Sequence, residues 1–428
     1  MRKESGRMKE EELRIRAGRW LLPREDIDKT AWACVACDQF TSQPEYWAKA
    51  RAQVMEKPSA LKLILPECEL EKEGESVPRI HAEMEKYVLD GVLQPTAWEG
   101  FILTERATQS GTRIGLVALM DLEGYDYNKG SKSLIRPTEG TIVERIPPRL
   151  AVRRGASLEL SHVMMLLDDV QGTVIEPLKE KRSELKKLYD FSLMMGGGHI
   201  TGYAVTEPKD ILAVTAALET LAGKREDPLL YAVGDGNHSL ATAKAYWEEI
   251  KAGLSPEEKA VHPARFAMAE LVNLHDAALL FEPIHRVLFG AEAEALLADM
   301  AQYAAKNGMT LSQGEQEVLC VYGGGETRLA IAGSPQTLAV GTLQVFLDEW
   351  LLAHPEARLD YVHGEQAVRE LAQGEKTVGF LLPVPDKSSL FDAVSKEGAL
   401  PRKTFSMGAA EEKRYYMEAR ALKGRLAK

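Results

Sequence analysis

The sequence predicts an α+β protein with mixed, largely antiparallel sheets, packed helices and two lobes around a cleft. Three observations lead there. Apolar runs of strand length are joined by short Gly turns, as in FILTERAT, Gln109-Ser110-Gly111 and TRIGLVALMDL. Helical patterns with end signals are interspersed among them, as in PKDILAVTAALETLAG, with Pro208 near its start and a Gly at its end. Hairpins are too frequent for a purely parallel, doubly wound sheet.

In chain order, residues 9–20 are a charged, helical lead-in, and WACVAC is a short strand followed by the loop DQFTSQPEYW. Residues 75–90 are helical, and the hairpin around Gln109-Ser110-Gly111 follows. LSHVMMLLDD, Gln171-Gly172 and TVIEPL make a second hairpin. Residues 178–195 read as an amphipathic helix ending at Gly196-Gly197-Gly198, and HITGYAVTE as a strand. LLYAVGDG is an apolar run into a Gly-Asp-Gly turn, and SLATAKAYWEEIKAG is a helix closed by Gly253. FAMAELVNLHD fits strand or helix. VLCVYGGGETRLAIAG is a hairpin, TLQVFLDEWLLAHPEA a helix closed by Pro355, KTVGFLLPV a strand and SSLFDAVSKEG a helix. EEKRYYMEARALKGR is expected to be a C-terminal helix. The lobes are expected at 1–155 and 156–428, the second carrying the GDGNHS turn.

The chain has 428 residues, 53 Lys plus Arg and 64 Asp plus Glu, a net charge of −11. That balance argues against a protein that coats nucleic acid by bulk electrostatics. No run approaches the length of a membrane helix. The charged N-terminus lacks the apolar region of a secretory signal. Four Cys make no disulfide framework, and a reducing cytoplasm is the expected location. Cys34 and Cys37 have CxxC spacing, but alternation along a strand sends them to opposite faces, so they read as structural.

The segment richest in chemistry is Tyr231 to Lys244. Gly234 and Gly236 permit close backbone approach. Asn237, His238 and Ser239 begin a helix whose free N–H groups and positive dipole end suit an anion, a phosphate above all. Asp235 suits a metal, a hydroxyl or an Arg. The alternative is an ordinary helix cap, and both readings stand. The turn has neither Walker nor Rossmann spacing.

Against the acidic background, Ile135 to Arg154 holds Arg136, Arg145, Arg149, Arg153 and Arg154 with only Glu139 and Glu144. Arg forks match phosphate or carboxylate, and Glu139, in a Thr-Glu-Gly turn, suits a general base. The competing reading is a solvated loop of surface ion pairs. His275-Asp276 and His285-Arg286 are polar pairs set in apolar sequence, without metal-ligand spacing around them. In PRKTFSMG, Lys403 either reaches a phosphate or is a surface lysine.

GDGNHSLATAK, EPIHRVLF, TEGTIVERIPPR and PRKTFSMG resemble the family labelled domain of unknown function 1015. The likeness spans nearly the whole chain. The sequence departs from the commoner Asp-Gly-His-His-Arg pattern at Asp235 to Ser239, so it resembles a divergent branch. The Asp-Gly-x-His turn is also similar to the phosphate-binding turn of the ParB and sulfiredoxin-like superfamily, which includes kinases of free serine.

These resemblances imply a nucleotide-dependent phosphotransferase acting on a small hydroxyl metabolite. In it Asp235, Gly236, Asn237 and His238 hold the phosphates of ATP or another nucleotide. Arg136, Arg145 and Lys403 neutralise charge, Glu139 is the base, and Asp235 or Asp276 ligates Mg²⁺. Gly234, Ser239, Arg149, His285 and Arg286 complete the expected cofactor site. Two other readings remain: a ParB-like nucleotide-binding regulator without phosphotransfer, and a metal-dependent hydrolase built on His275, Asp276, His285 and His238. The expected partner is a small molecule, with no nucleic acid or membrane, and a homodimer is compatible.

Overall fold

In the computed structural model, residues 10–223 and 226–423 are described. They divide into two units. The first comprises residues up to Pro137, Thr141–Leu279 and the chain from Gly408; the second comprises Thr138–Gly140 and Leu280–Met407. The division expected at residue 155 falls inside the first unit.

The first unit is built on the hairpin read at Gln109-Ser110-Gly111. Its strands are β1 (Phe101–Thr108) and β2 (Gly111–Asp121). Then come β3 (Ile135–Pro137), β4 (Met164–Leu167), β5 (Lys186–Ser192), β6 (His199–Val205), β7 (Tyr231–Asp235) and β8 (Phe266–Asn273). Among the described residues the sheet runs β5-β6-β1-β2-β8-β4-β7-β3, with Ile15–Arg16 paired to β2. Only β8–β4 and β7–β3 are parallel, so the sheet is mixed but mainly antiparallel.

β2 is buried from Arg113 onward because both faces are covered. Val117 and Leu119 enter one apolar cluster, while Leu116, Ala118 and Met120 enter the other. On one side lie α1 (Pro44–Val54) and α2 (Glu73–Leu89), whose Trp47, Ile80 and Met84 join the first cluster. Helix α3 (Ile146–Arg153) starts with Pro147 and Pro148 in its first turn, where a missing N–H costs nothing. Helices α4 (Pro208–Ala222) and α5 (Asn237–Lys251) supply Val214, Leu218, Leu240 and Trp247 to the second cluster.

The second unit is an antiparallel sheet with helices. β9 (Phe281–Phe289), β10 (Gln316–Tyr322), β11 (Gly325–Ile331), β12 (Arg358–His363) and β13 (Thr377–Leu381) run in the order β11-β10-β13-β9-β12, and β14 (Phe405–Met407) extends β9. Helices α6 (Ala293–Lys306) and α7 (Ala339–Ala353) bury Leu296, Met300, Leu343 and Phe346 against Val318, Val378 and Phe380.

Three expected elements differ. The C-terminal segment is not a helix: Tyr415–Tyr416 pairs with Cys34–Val35, and Ala419–Ala421 pairs with Leu158–Leu160. Its residues favour helix locally. Buried pairing decides otherwise, with Arg414 bound to Glu270 at 3.0 Å and to Glu418 at 2.8 Å, and Arg420 to Glu159. Residues 178–195 hold the end of a five-residue α-helix and a 3₁₀ turn at Arg182–Glu184, and β5 is an edge strand whose charged positions reach water while Tyr189 is buried. The second hairpin is absent because the Asp169 carboxylate accepts the Thr173 and Val174 N–H groups at 2.6 and 2.8 Å, turning the chain into Glu176–Glu180. Of the expected lead-in helix, Glu10–Leu13 is formed, and residue 9 lies outside the described residues.

Candidate functional site

The apolar run Leu229–Val233 is wholly buried and carries the chain along β7 to Asp235. Gly236 then reverses it with φ +76°, a region that L side chains adopt only with strain. A Cβ there would stand 2.9 Å from the Val163 Cα. Gly236, and not Gly234, takes the left-handed conformation. Helix α5 begins at once and its first turn has no side-chain cap. Leu240 is the first residue of the helix to donate back, to the Gly236 carbonyl at 3.0 Å. The N–H groups of Asn237, His238 and Ser239 therefore point out of the helix end without an internal acceptor.

Asp235 accepts the Gly236 N–H through Oδ1 at 3.0 Å. Its Oδ2 is buried without a hydrogen-bond partner among the described residues, with Lys413 Nζ 3.7 Å away. Asn237 Oδ1 is likewise buried and unpartnered among the described residues. The two oxygens flank the glycine in sequence.

Beside this turn stands His162, 3% exposed. Its Nδ1 meets the Tyr416 hydroxyl at 2.6 Å, and its Nε2 lies 3.2 Å from Ser239 Oγ and 3.3 Å from Asp38 Oδ2. The Tyr416 hydroxyl also accepts the Cys37 N–H at 3.2 Å. Burial works against an imidazolium here, but Asp38 outweighs it, with a smaller contribution from Asp235, so the His162 pKa lies above its ordinary value. Burial likewise works against the Asp38 carboxylate, yet His162 holds it well below the usual carboxylate range.

His238 behaves in the opposite way. Burial, then Arg149 and Arg145, push it down to about 4, so the ring is neutral at pH 7. Its Nε2 accepts the Ile142 N–H at 3.2 Å, which leaves the proton on Nδ1. The ring thus fastens the 142 loop to α5.

Helical spacing sorts the Arg-rich segment. Arg145, Arg149 and Arg153 recur every four residues at and along α3. Arg145 and Arg149 each reach Glu67 Oε1 at 3.2 Å, and Arg153 reaches Glu159 at 2.7 Å. Arg136 is buried in β3 against Asp227, which also pairs with Lys132 at 3.0 Å, and Arg154 pairs with Glu249 on the surface. A cavity of about 120 Å³ opens between these parts. Its lining combines the polar Arg149, Arg153, Glu159, His162, Ser239, Thr242 and Tyr416 with Leu63, Leu65, Met84, Val152, Leu158 and other apolar side chains.

The structure therefore brings Asp235, Gly236, Asn237, His238, Ser239, Arg145 and Arg149 into one region of the first unit. Glu139 and Lys403 come together in the second unit, where Glu139 accepts the Lys403 and Thr404 N–H groups at 3.1 Å each. Arg286, also in the second unit, is fully buried and gives its guanidinium to the Ile284, Lys403 and Arg402 carbonyls and to Gln344. His285 accepts the Leu382 N–H at 3.1 Å. Asp276 lies in a turn of the first unit, where its carboxylate accepts the Ile114 and Ala278 N–H groups at 3.0 and 2.8 Å.

The metal-hydrolase reading is corrected. His275 pairs with Asp168 at 2.8 Å, and among the described residues no group of three or more His, Cys, Asp or Glu is arranged to hold a metal ion. The CxxC pair is chemically quiet, since burial pushes the Cys37 thiol up to about 12 and Cys34 higher still.

Sequence reasoning missed Asp38, His162, Lys413 and Tyr416. His162 left one signal, the polar Ser161-His162 step interrupting the apolar LEL and VMMLL runs. Lys413 and Tyr416 left none, because their segment reads as a helix.

The family model described as "Protein of unknown function (DUF1015)" matches residues 20–350. No curated protein matches the chain. Among solved structures, a free serine kinase in complex with AMP is similar at 14% identity, covering 67% of this chain and 88% of its own, with a TM-score of 0.36. A conserved hypothetical protein from Pyrococcus furiosus is similar at 11% identity, covering 72% and 95%, with a TM-score of 0.34. A C-terminally truncated SbnI from Staphylococcus aureus is similar at 9% identity, covering 68% and 83%, with a TM-score of 0.35. Likeness at this level bears on neither activity nor ligand. No helix among the described residues is long and apolar enough to cross a membrane.

Proposed function

For this chain, which belongs to the family of proteins of unknown function DUF1015, we propose a nucleotide-dependent phosphotransferase acting on a small hydroxyl metabolite. One observation carries the reading: the uncapped N-terminus of α5 adjoins a cavity whose lining includes Arg149, His162 and Ser239. Three outward N–H groups, an Arg fork and an imidazolium are the parts an oxyanion of phosphorus needs. Phosphoryl transfer asks chiefly for positioning and charge neutralisation, so this set is sufficient in kind.

The reading gives the parts these roles. The α5 amides and Ser239 hold a phosphate. Arg149, oriented by Glu67, and His162, charged beside Asp38, face the negative charge. Asp38 orients His162 and, held well below the usual carboxylate range, is too weak a base for the role first assigned to Glu139. Glu139 and Lys403 stay outside this scheme because Glu139 already accepts two backbone N–H groups. Asp235 Oδ2 and Asn237 Oδ1, both buried without a hydrogen-bond partner among the described residues, fit Mg²⁺, which takes few protein ligands. A bound Mg²⁺ would supply further positive charge at the phosphates. The cavity has the size that takes one small ring or a short hydrocarbon group. It therefore suits the body of the acceptor and favours an apolar hydroxy acid over free serine.

The test is calorimetry with ATP and ADP, followed by ³¹P NMR of mixtures with Mg²⁺ and a panel of hydroxy acids. A phosphorylated acceptor is expected, with binding weakened in Arg149→Gln. Failure of both nucleotides to bind overturns the reading. Binding without any phosphorylated acceptor favours a nucleotide-binding regulator instead.

A further inference from the structure

The loop Pro401–Thr404 of the second unit is built as carefully as the α5 turn, and nothing in the proposed reaction uses it. Lys403 has φ +55°, a left-handed conformation that costs a residue with a Cβ and persists only where its surroundings impose it. The surroundings do so here. Glu139 accepts both the Lys403 and the Thr404 N–H groups, one on each carboxylate oxygen. Arg286 donates to the Lys403 and Arg402 carbonyls at 2.9 and 3.4 Å, and Thr404 Oγ1 donates to the Pro401 carbonyl at 2.6 Å. Backbone donors and acceptors of the loop are thus tied inward, and the side chains of Arg402 and Lys403 are exposed.

Those side chains converge on one ring. The Arg286 and Arg402 guanidinium carbons and Lys403 Nζ lie 4.7, 5.4 and 5.4 Å from the Tyr361 centroid. Arg402 Nε donates to the Tyr361 hydroxyl at 3.2 Å. Among the described residues no carboxylate forms an ion pair with Arg286, Arg402 or Lys403. Glu139 is the carboxylate at the loop, and its oxygens serve the backbone. The buried Arg286 is acted on by Glu139 and Asp348, while Arg402 and Lys403 hold two exposed positive charges on a strained loop.

We propose that this loop is a second anion site, which takes a phosphoryl or pyrophosphoryl group on a small molecule. A phosphate monoester carries about −2 at pH 7 and matches these two exposed cations, whereas a carboxylate neutralises only one. The Arg402 fork supplies directed donors, Lys403 a point charge and Tyr361 a flat apolar wall. The site lies wholly within the second unit and does not rest on the α5 reading.

The experiment titrates the full-length chain with inorganic pyrophosphate by calorimetry, in parallel with Arg149→Gln, in which the α5 site is weakened. A site is expected to persist in Arg149→Gln and to weaken at least tenfold when Arg402→Gln or Lys403→Gly is added. Lys403→Gly should melt no lower than the parent, because Gly relieves the strained φ, so loss of binding there is not loss of fold. Absence of any pyrophosphate site in Arg149→Gln, or a site there that ignores both loop substitutions, overturns the proposal.

Discussion

Asp38→Asn tests the electrostatic heart of the α5 site, and its effect depends on pH with a definite sign. In the parent, the His162 pKa is raised over its unfolded value. Its stabilisation is therefore complete below pH ~6.5 and is lost as the pH rises through the folded pKa. The Asp38 pKa is lowered, so its contribution is present above pH ~4 and is lost as the pH falls through the folded value. Between pH 5 and 6.5 both terms are in force.

The charges stand 3.3 Å apart, which at an effective dielectric of about 20 is a gross attraction of roughly 5 kcal/mol. Desolvating a buried imidazolium takes back much of this, so the net effect at pH 5 should be on the order of 1–3 kcal/mol. The neutral amide of the variant removes the attraction, while burial and Arg149 still oppose the imidazolium. His162 then titrates below its ordinary value and costs stability as the pH falls. At pH 8 the imidazole is largely neutral in the variant and the loss is small. Urea unfolding of parent and variant at pH 5, 6, 7 and 8 should show a gap that widens toward acid, by at most ~1.4 kcal/mol per pH unit from this one proton. Parallel profiles, or a gap that widens toward alkali, would refute the assigned ion pair.

Gly236→Ala places a Cβ 2.9 Å from the Val163 Cα at φ +76°, and should cost about 2 kcal/mol or more, read as a lower urea midpoint at unchanged slope. Arg414→Ala leaves the buried carboxylates of Glu270 and Glu418 without their shared partner and should cost about 3–5 kcal/mol, whereas exposed Arg154→Ala should cost less than ~1 kcal/mol despite its own pair with Glu249. Thiol labelling of the native protein at pH 8 should spare Cys34, Cys37 and Cys320, whose thiols burial pushes up; rapid modification of Cys37 would contradict its place in the site.

Much of the candidate site was legible because its features are local. A Gly-Asp-Gly turn after an apolar strand and before an amphipathic helix specifies a helix N-terminus with free N–H groups. The Arg-rich segment was visible as composition, but composition did not sort it. Helical periodicity from Ile146 sets Arg145 and Arg149 on Glu67, while the β3 pairing buries Arg136 against Asp227. Asp38 and His162 lie far apart in the chain, and no local pattern predicts that they meet.

The sequence by itself determined the α+β class, the hairpins around Gln109-Ser110-Gly111 and Gly323-Gly324-Gly325, the helices read from 208, 237, 342 and 388, and the turn at Gly236. Each rests on periodicity or turn chemistry within a short stretch of chain. Only the tertiary structure decided that the C-terminal segment pairs as strands against Cys34–Val35 and Leu158–Leu160. By that pairing Tyr416 is brought to His162, and Arg414 to Glu270. Local helix propensity in that segment amounts to a few tenths of a kcal/mol per residue. The buried ion pairs and sheet hydrogen bonds formed across the fold outweigh it, and they alone bring Tyr416 to His162.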